Sequence, residues 1–279
     1  MDLSEAVSKE VKATLEEDIG EGDVTAKLIP EGAVAHATVI SRENAVLCGT
    51  FWFESCFRML DPGVEIVWQV REGGEIRPRD ALCTVRGNAR ALLTAERSAL
   101  NFLQLLSGIA TKTRKFVKAV EGTHALVMDT RKTLPGLRFA QKYAVRVGGG
   151  SNQRMGLHDA ILIKENHIAA CGGVKAALDA AAKVHNVPVQ IEVESMKELE
   201  EALDAGAKLV LLDNFDIDGL KQAVEFTRGR AALEASGGVR LDTVRSIALT
   251  GVDRISVGEL TKDVKAIDLS MRLQVTQLA

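Results

Sequence analysis

Aromatic rings are scarce: eight Phe, two Trp and one Tyr make up 4% of 279 residues. A core so short of rings must be filled by Ala, Val, Leu and Ile, which suits helices packed on a β-branched sheet better than an all-β sandwich. Cysteine is also sparse. Cys48, Cys56, Cys83 and Cys171 form no CxxC pair, which disfavours a zinc knuckle or redox motif and leaves reduced, buried thiols as the expectation. His158 and His167 stand nine apart and match no common ligand spacing, so a His-bound metal is not expected. No run approaches the ~18 uncharged apolar residues of a membrane span. The opening stretch MDLSEAVSKEVKATLEEDIG is acidic and amphipathic where a signal peptide is basic and then apolar. A cytoplasmic protein with no membrane partner is expected.

What is present is a balanced globular composition, 46% hydrophobic and 26% charged, which excludes disorder and fibrous repeats. The length suits about two domains at ~150 residues each, or one α/β barrel. The net charge of −3 is unevenly spread. From Asp129 to Lys164 seven bases (Arg131, Lys132, Arg138, Lys142, Arg146, Arg154, Lys164) stand against two acids, Asp129 and Asp159. This predicts a basic pocket in an acidic protein. Nucleic acid would need a broad basic face with stacking rings, and this stretch holds only Phe139 and Tyr143. A small polyanion fits better.

From residue 124 onward, apolar runs near 124–132, 160–168, 187–195, 208–215, 231–239 and 253–260 alternate with helical stretches. Six strand-helix units in a row predict parallel strands buried on both faces. In each unit polar residues stand at the strand's C-terminal end: Asp129 with Arg131 and Lys132, Lys164, Glu192 and Glu194, Asp213, Glu234 with Ser236, and Ser256 with Gly258 and Glu259. A barrel gathers all six ends around one mouth, whereas an open sheet gathers only those at its switch point, so a barrel is predicted. Glu192 and Glu194, two apart, are expected on one strand face. The first hundred residues read as a separate α+β domain, with helices over 3–18 and 50–60. A long helix from Leu93 to about Val120 follows, and its interior Gly108 predicts a break.

The glycines of SGGV (Ser236, Gly237, Gly238) and of VGEL (Gly258) lie in the last two units, where barrels commonly bind phosphate. Asp213 and Glu192/Glu194, on neighbouring strand ends, suit a hard divalent cation shared with a phosphorylated substrate, magnesium by default. Lys164, on an otherwise apolar strand, is an anion clamp or a Schiff-base nucleophile. RVGGGSNQRMG lacks the dinucleotide fingerprint and reads as a loop carrying Arg154 toward the mouth.

The blocks AERSALNFLQLLSGIA, MDTRKTLPGLRFAQKYAVRVGGGSNQRMGLHDAILIKENHI, IEVES, LLDNF, LEASGGV and ISVGELTK resemble the quinolinate phosphoribosyltransferase family, and the likeness runs from GDVTAKLIP over almost the whole chain. The intact DTRKTLPGLR and IKENHI argue against the molybdenum-associated branch of the superfamily. The resemblance implies a type II phosphoribosyltransferase-like α/β fold: an incomplete (β/α) barrel over 109–264 with an N-terminal α+β sandwich domain over 1–108, joined by the tail 265–279. It implies conversion of quinolinate and phosphoribosyl pyrophosphate (PRPP) to nicotinate mononucleotide, pyrophosphate and CO2 with Mg2+, in a homodimer or larger homo-oligomer. Carried over by motif, Arg131, Arg154 and Lys164 would hold the quinolinate carboxylates, with Arg97 reaching in from a neighbouring subunit. Lys132, Glu192, Asp213, Ser236, Gly237 and Gly258 would hold PRPP and its metal, with Glu192 and Asp213 the metal-facing pair. Lys132, Glu192 and Asp213 form the expected catalytic group, and Thr130, Gln153, Glu194, Gly238 and Val257 complete the substrate-binding set. Gln153 stands where the family commonly has His, and Gln carries no titrating charge.

Overall fold

A computed structural model describes residues 2–184 and 187–276. The chain divides into two units. The first comprises residues up to Lys112, Leu134–Gly148 and the segment from Asp263; the second comprises Thr113–Thr133 and Gly149–Lys262.

The first unit begins with α1 (Leu3–Ile19), opened by the Asp2 carboxylate accepting from Leu3 N–H, and buries Ala6, Val7, Val11 and Leu15 along one stripe. The next elements are β1 (Val34–Ser41), β2 (Ala45–Val46), α2 (Thr50–Leu60), β3 (Glu65–Trp68), β4 (Glu75–Ile76), β5 (Ala81–Asn88) and α3 (Ala89–Ala119). Alternate residues of β1, Ala35, Ala37, Val39 and Ser41, face the core. Eight of the eleven rings lie in this unit. Trp52, Phe53 and Phe57 of α2 are fully buried, and Trp52 Nε1 donates to Glu10 at 2.7 Å.

α3 runs unbroken through Gly108, contrary to the predicted break. A Cβ there would stand 2.1 Å from the Lys265 carbonyl oxygen. The glycine admits a close backbone approach, and the surrounding packing offsets its weak helix propensity.

The second unit begins within α3 and adds β6 (Leu126–Met128). Helix α4 (Arg138–Val147) follows in sequence but lies in the first unit. Then come β7 (Ile161–Ile163), α5 (Glu165–Cys171), α6 (Val174–Ala181), β8 (Val189–Val193), α7 (Met196–Asp204), β9 (Leu209–Asp213), α8 (Ile217–Thr227), β10 (Ala232–Ser236), α9 (Val244–Ala248), β11 (Arg254–Ser256) and α10 (Glu259–Lys262). All six strands are parallel, in the order β6-β11-β10-β9-β8-β7. The sheet does not close, because β6 and β7 have no ladder between them. A lone parallel bridge from Met128 to Ser151 starts the loop 149–160 alongside β6. Strand interiors are aliphatic and buried, as at Val210, Leu211 and Leu212.

The tail returns to the first unit as β12 (Leu269–Thr276), antiparallel to β1 in the sheet β12-β1-β5-β3. Residues 277–279 of the tail lie outside the described residues.

The basic stretch does not form one pocket. Arg138, Lys142 and Arg146 sit on α4, with Lys142 fully buried, so the local charge excess is split between the units. The cysteine expectation also needs amending, since Cys48, Cys56 and Cys83 are buried but Cys171 is exposed. Among the described residues no helix is long and apolar enough to cross a membrane.

Candidate active site

At the C-terminal ends of the barrel strands lies a cleft of 240 Å³ lined by Thr130, Arg131, Lys132, Gln153, Arg154, Lys164, Glu192, Asp213 and Ser236, with Leu162, Leu211 and Ser256 beneath. The two-residue strand period explains the layering. Leu211 and Asp213 of β9, Ser236 of β10 and Glu192 of β8 point inward, and the register pairs Ser236 with Asp213 and Leu211 with Glu192.

The turn after β6 is held by the Thr130 hydroxyl, which accepts from Lys132 N–H at 3.1 Å, and by Thr261, which donates to the Lys132 carbonyl at 2.8 Å. Lys132 is thereby carried at an exposed rim. Arg131 Nε is buried with no hydrogen-bond partner among the described residues. Arg154 Nη1 donates to the Ala160 carbonyl at 3.2 Å. Asp159 tightens this loop by accepting from Met155 and Gly156 N–H at 2.6 and 2.9 Å. Burial pushes the Arg154 pKa down, the nearby Arg131 charge pushes the same way, and Asp159 only partly offsets both. Two guanidiniums therefore converge with Asp159 as only a partial counter-charge.

Lys164 Nζ meets both Glu192 oxygens at 2.8 and 2.9 Å, and its backbone N–H donates to His167 Nδ1 at 3.0 Å. His167 thus fixes the Lys164 backbone. Asp213 accepts from the Asn214 amide at 2.8 Å.

Glu194 does not share the inner face with Glu192. β8 ends at Val193, and Glu194 is exposed, its N–H donating to Glu198 in the cap of α7. Gly237, Gly238, Val257 and Gly258 are not among the lining residues, but two of these glycines are constrained beside them. A Cβ on Gly237, whose φ is +103°, would stand 2.2 Å from Asn214 Oδ1, and one on Gly258 would stand 3.4 Å from Lys132 Cδ. Val257 is buried and donates its N–H to the Met128 carbonyl at 2.9 Å. Arg97 lies in the first unit, exposed on α3, where its charge acts on the neighbouring Glu96 carboxylate. Leu162, Leu211 and Gln190 were not anticipated from sequence, although alternation along β7, β8 and β9 marks them as inward-facing.

Family models decide what this arrangement belongs to. Those described as quinolinate phosphoribosyl transferase, C-terminal domain and N-terminal domain, match residues 109–272 and 23–107. The chain belongs to the quinolinate phosphoribosyltransferase family. It is 41% identical over 280 residues to the nicotinate-nucleotide pyrophosphorylase [carboxylating] of Mycobacterium leprae, covering 96% of this chain and 98% of that one. It is 39% identical over 257 residues to the probable enzyme of the same name from Bacillus subtilis, covering 91% and 89%. The solved nicotinate-nucleotide pyrophosphorylase from Francisella tularensis superposes with a TM-score of 0.94 at 44% identity, covering 98% of both chains.

Proposed function

We propose how the residues of this cleft share the work of the family reaction. The chain transfers the phosphoribosyl group of PRPP to quinolinate with decarboxylation, giving nicotinate mononucleotide, pyrophosphate and CO2. One observation carries the assignment of the acceptor end: Arg131 and Arg154 converge beside Lys164, and Arg131 Nε is buried without an acceptor. A planar dicarboxylate supplies what these donors lack. A bidentate guanidinium contact fixes its orientation as well as its charge.

At the rim, Lys132 neutralises the leaving pyrophosphate, while backbone N–H groups around Ser236, Gly237 and Gly258 receive the phosphates. Leaving-group departure develops oxocarbenium character at ribose C1, and the held pyridine nitrogen attacks in line. Once alkylated, the ring nitrogen bears positive charge and accepts the electron pair released as the C2 carboxylate leaves as CO2. A proton then closes C2. The protein's part in that step is to hold the ring and exclude water.

Asp213 and Glu192 are the carboxylates that face the phosphate end. Among the described residues no three His, Cys, Asp or Glu side chains form a protein cage for a metal. Two carboxylates with substrate oxygens fit Mg2+, which keeps several waters and binds through one or two carboxylates plus phosphates. Both Glu192 oxygens already meet Lys164, so Asp213 is the principal candidate. Bound there, Mg2+ would neutralise charge on the pyrophosphate.

The reading extends to a homodimer in which Arg97 enters the partner's cleft, supported by its exposure. It also extends to a cytoplasmic setting, supported by the free thiols and the amphipathic α1. The deciding experiment incubates the protein with quinolinate, PRPP and Mg2+ and measures nicotinate mononucleotide and CO2 together. Absence of both products from folded protein would overturn the acceptor assignment.

A further inference from the structure

Beneath the cleft, the barrel interior holds a carboxylate that no part of the reaction above uses. Glu234 of β10 is wholly shielded from solvent. Its Oε2 accepts from Gln190 Nε2 at 3.0 Å, and its Oε1 takes both the Gln153 amide and the Ser256 hydroxyl. All three donors are neutral, and no Lys or Arg pairs with Glu234 among the described residues. A buried carboxylate without a counter-charge is costly, and three hydrogen bonds offset that cost only while all are made. Leu211, its partner in the β9 register, shows that an apolar side chain fits this layer.

The geometry of Gln153 indicates what the carboxylate does. Its amide nitrogen has two hydrogens, and that nitrogen contacts two acceptors: Glu234 Oε1 and, at 3.2 Å, Gln190 Oε1. Both N–H groups are thus engaged below the cleft. Its backbone N–H donates to Asp129 Oδ1 at 2.9 Å, so residue 153 is pinned at main chain and side chain. Arg154 follows it directly. Ser256 also lines the cleft and gives its hydroxyl proton to the same carboxylate.

We propose that Glu234 is a positioning residue for the quinolinate end of the reaction: it gathers Gln153, Gln190 and Ser256 into a rigid polar floor that sets the origin of Arg154 and keeps the Gln153 amide from competing for the substrate's carboxylates. Anion contacts then fall to Arg131, Arg154 and Lys164. This inference rests on the acceptor site assigned above.

Glu234→Gln tests it, since the neutral isostere keeps the volume but has one acceptor oxygen where Gln153 and Gln190 need two. The measurements are thermal unfolding, PRPP binding by calorimetry, and steady-state kinetics with each substrate varied. The folded variant should lose tenfold or more in kcat/KM for quinolinate, with KM for PRPP within about twofold of wild type. Added to Gln153→Ala it should cause little further loss, because residues acting through one another are not additive. Unchanged quinolinate kinetics, equal loss for both substrates, or fully additive losses would overturn the proposal. Should Glu234→Gln fail to fold, Ser256→Ala removes one donor only, and a loss under twofold there would also overturn it. A wild-type protein inactive on quinolinate would instead defeat the acceptor assignment.

Discussion

Arg131 combines a buried, unpartnered Nε with a place at the head of the cleft. Replacing it by Ala removes a charge-assisted contact worth about 1.5–3 kcal/mol. The expected result is a fall in kcat/KM for quinolinate of roughly tenfold to more than a hundredfold. Kinetics with quinolinate varied at saturating PRPP check this, and wild-type values would remove Arg131 from the site. The thiols give a second test. Burial pushes Cys56 up to about 12 and raises Cys48 and Cys83 too, with the nearby carboxylates Glu72 and Glu54 adding to the latter two. Only Cys171 is exposed. Since the thiolate is the reactive form, a disulfide reagent should titrate one thiol quickly in native protein and four after denaturation. Two fast thiols would contradict this burial pattern.

The glycines matter most through the elements they join. Gly108→Ala would ordinarily stabilise a helix by about 1 kcal/mol. Here the new methyl meets the Lys265 carbonyl, so thermal unfolding should show a lower melting temperature, and an unchanged or higher one would mean that the 265–266 segment yields freely. Gly237→Ala acts in the second unit. Its positive φ and the adjacent Asn214 leave no room for Cβ, so the turn after β10 must shift. A rise in KM for PRPP exceeding that for quinolinate is expected, and the reverse ranking would move the phosphate site elsewhere.

The proposed homodimer is tested at the scale of the whole molecule. If Arg97 completes the partner's cleft, Arg97→Ala and Lys132→Ala are each inactive alone. Under subunit exchange, a mixed dimer places both defects in one site and leaves the other whole. With random mixing about a quarter of sites recover, as two-fold symmetry requires. No recovery despite demonstrated exchange would defeat the shared site and leave the enzyme standing. Nicotinate, lacking the second carboxylate, should not replace quinolinate, because the cationic cleft would keep unpaired charge and no CO2 could form. Comparable turnover with nicotinate, followed by its mononucleotide product, would refute that selectivity.

The strand-helix alternation after residue 124 was legible because continuous aliphatic runs can be buried only between layers, and polar residues ending several of those runs line the strand-end cleft. The resemblance carried by the DTRKTLPGLR block named Arg131 and Lys132, and both line the cleft. Long-range proximity was not legible. Where β8 stops decides that Glu192 looks into the cleft and Glu194 does not. The return of the tail past α3 decides that Gly108 continues a helix. The split of the basic stretch by α4 leaves Arg131, Lys132, Arg154 and Lys164, not all seven bases, at the site. Glu234, Gln190 and Gln153 lie far apart in the chain and meet because parallel strands β8 and β10 bring Gln190 and Glu234 together inside the barrel while the loop 149–160 carries Gln153 to them.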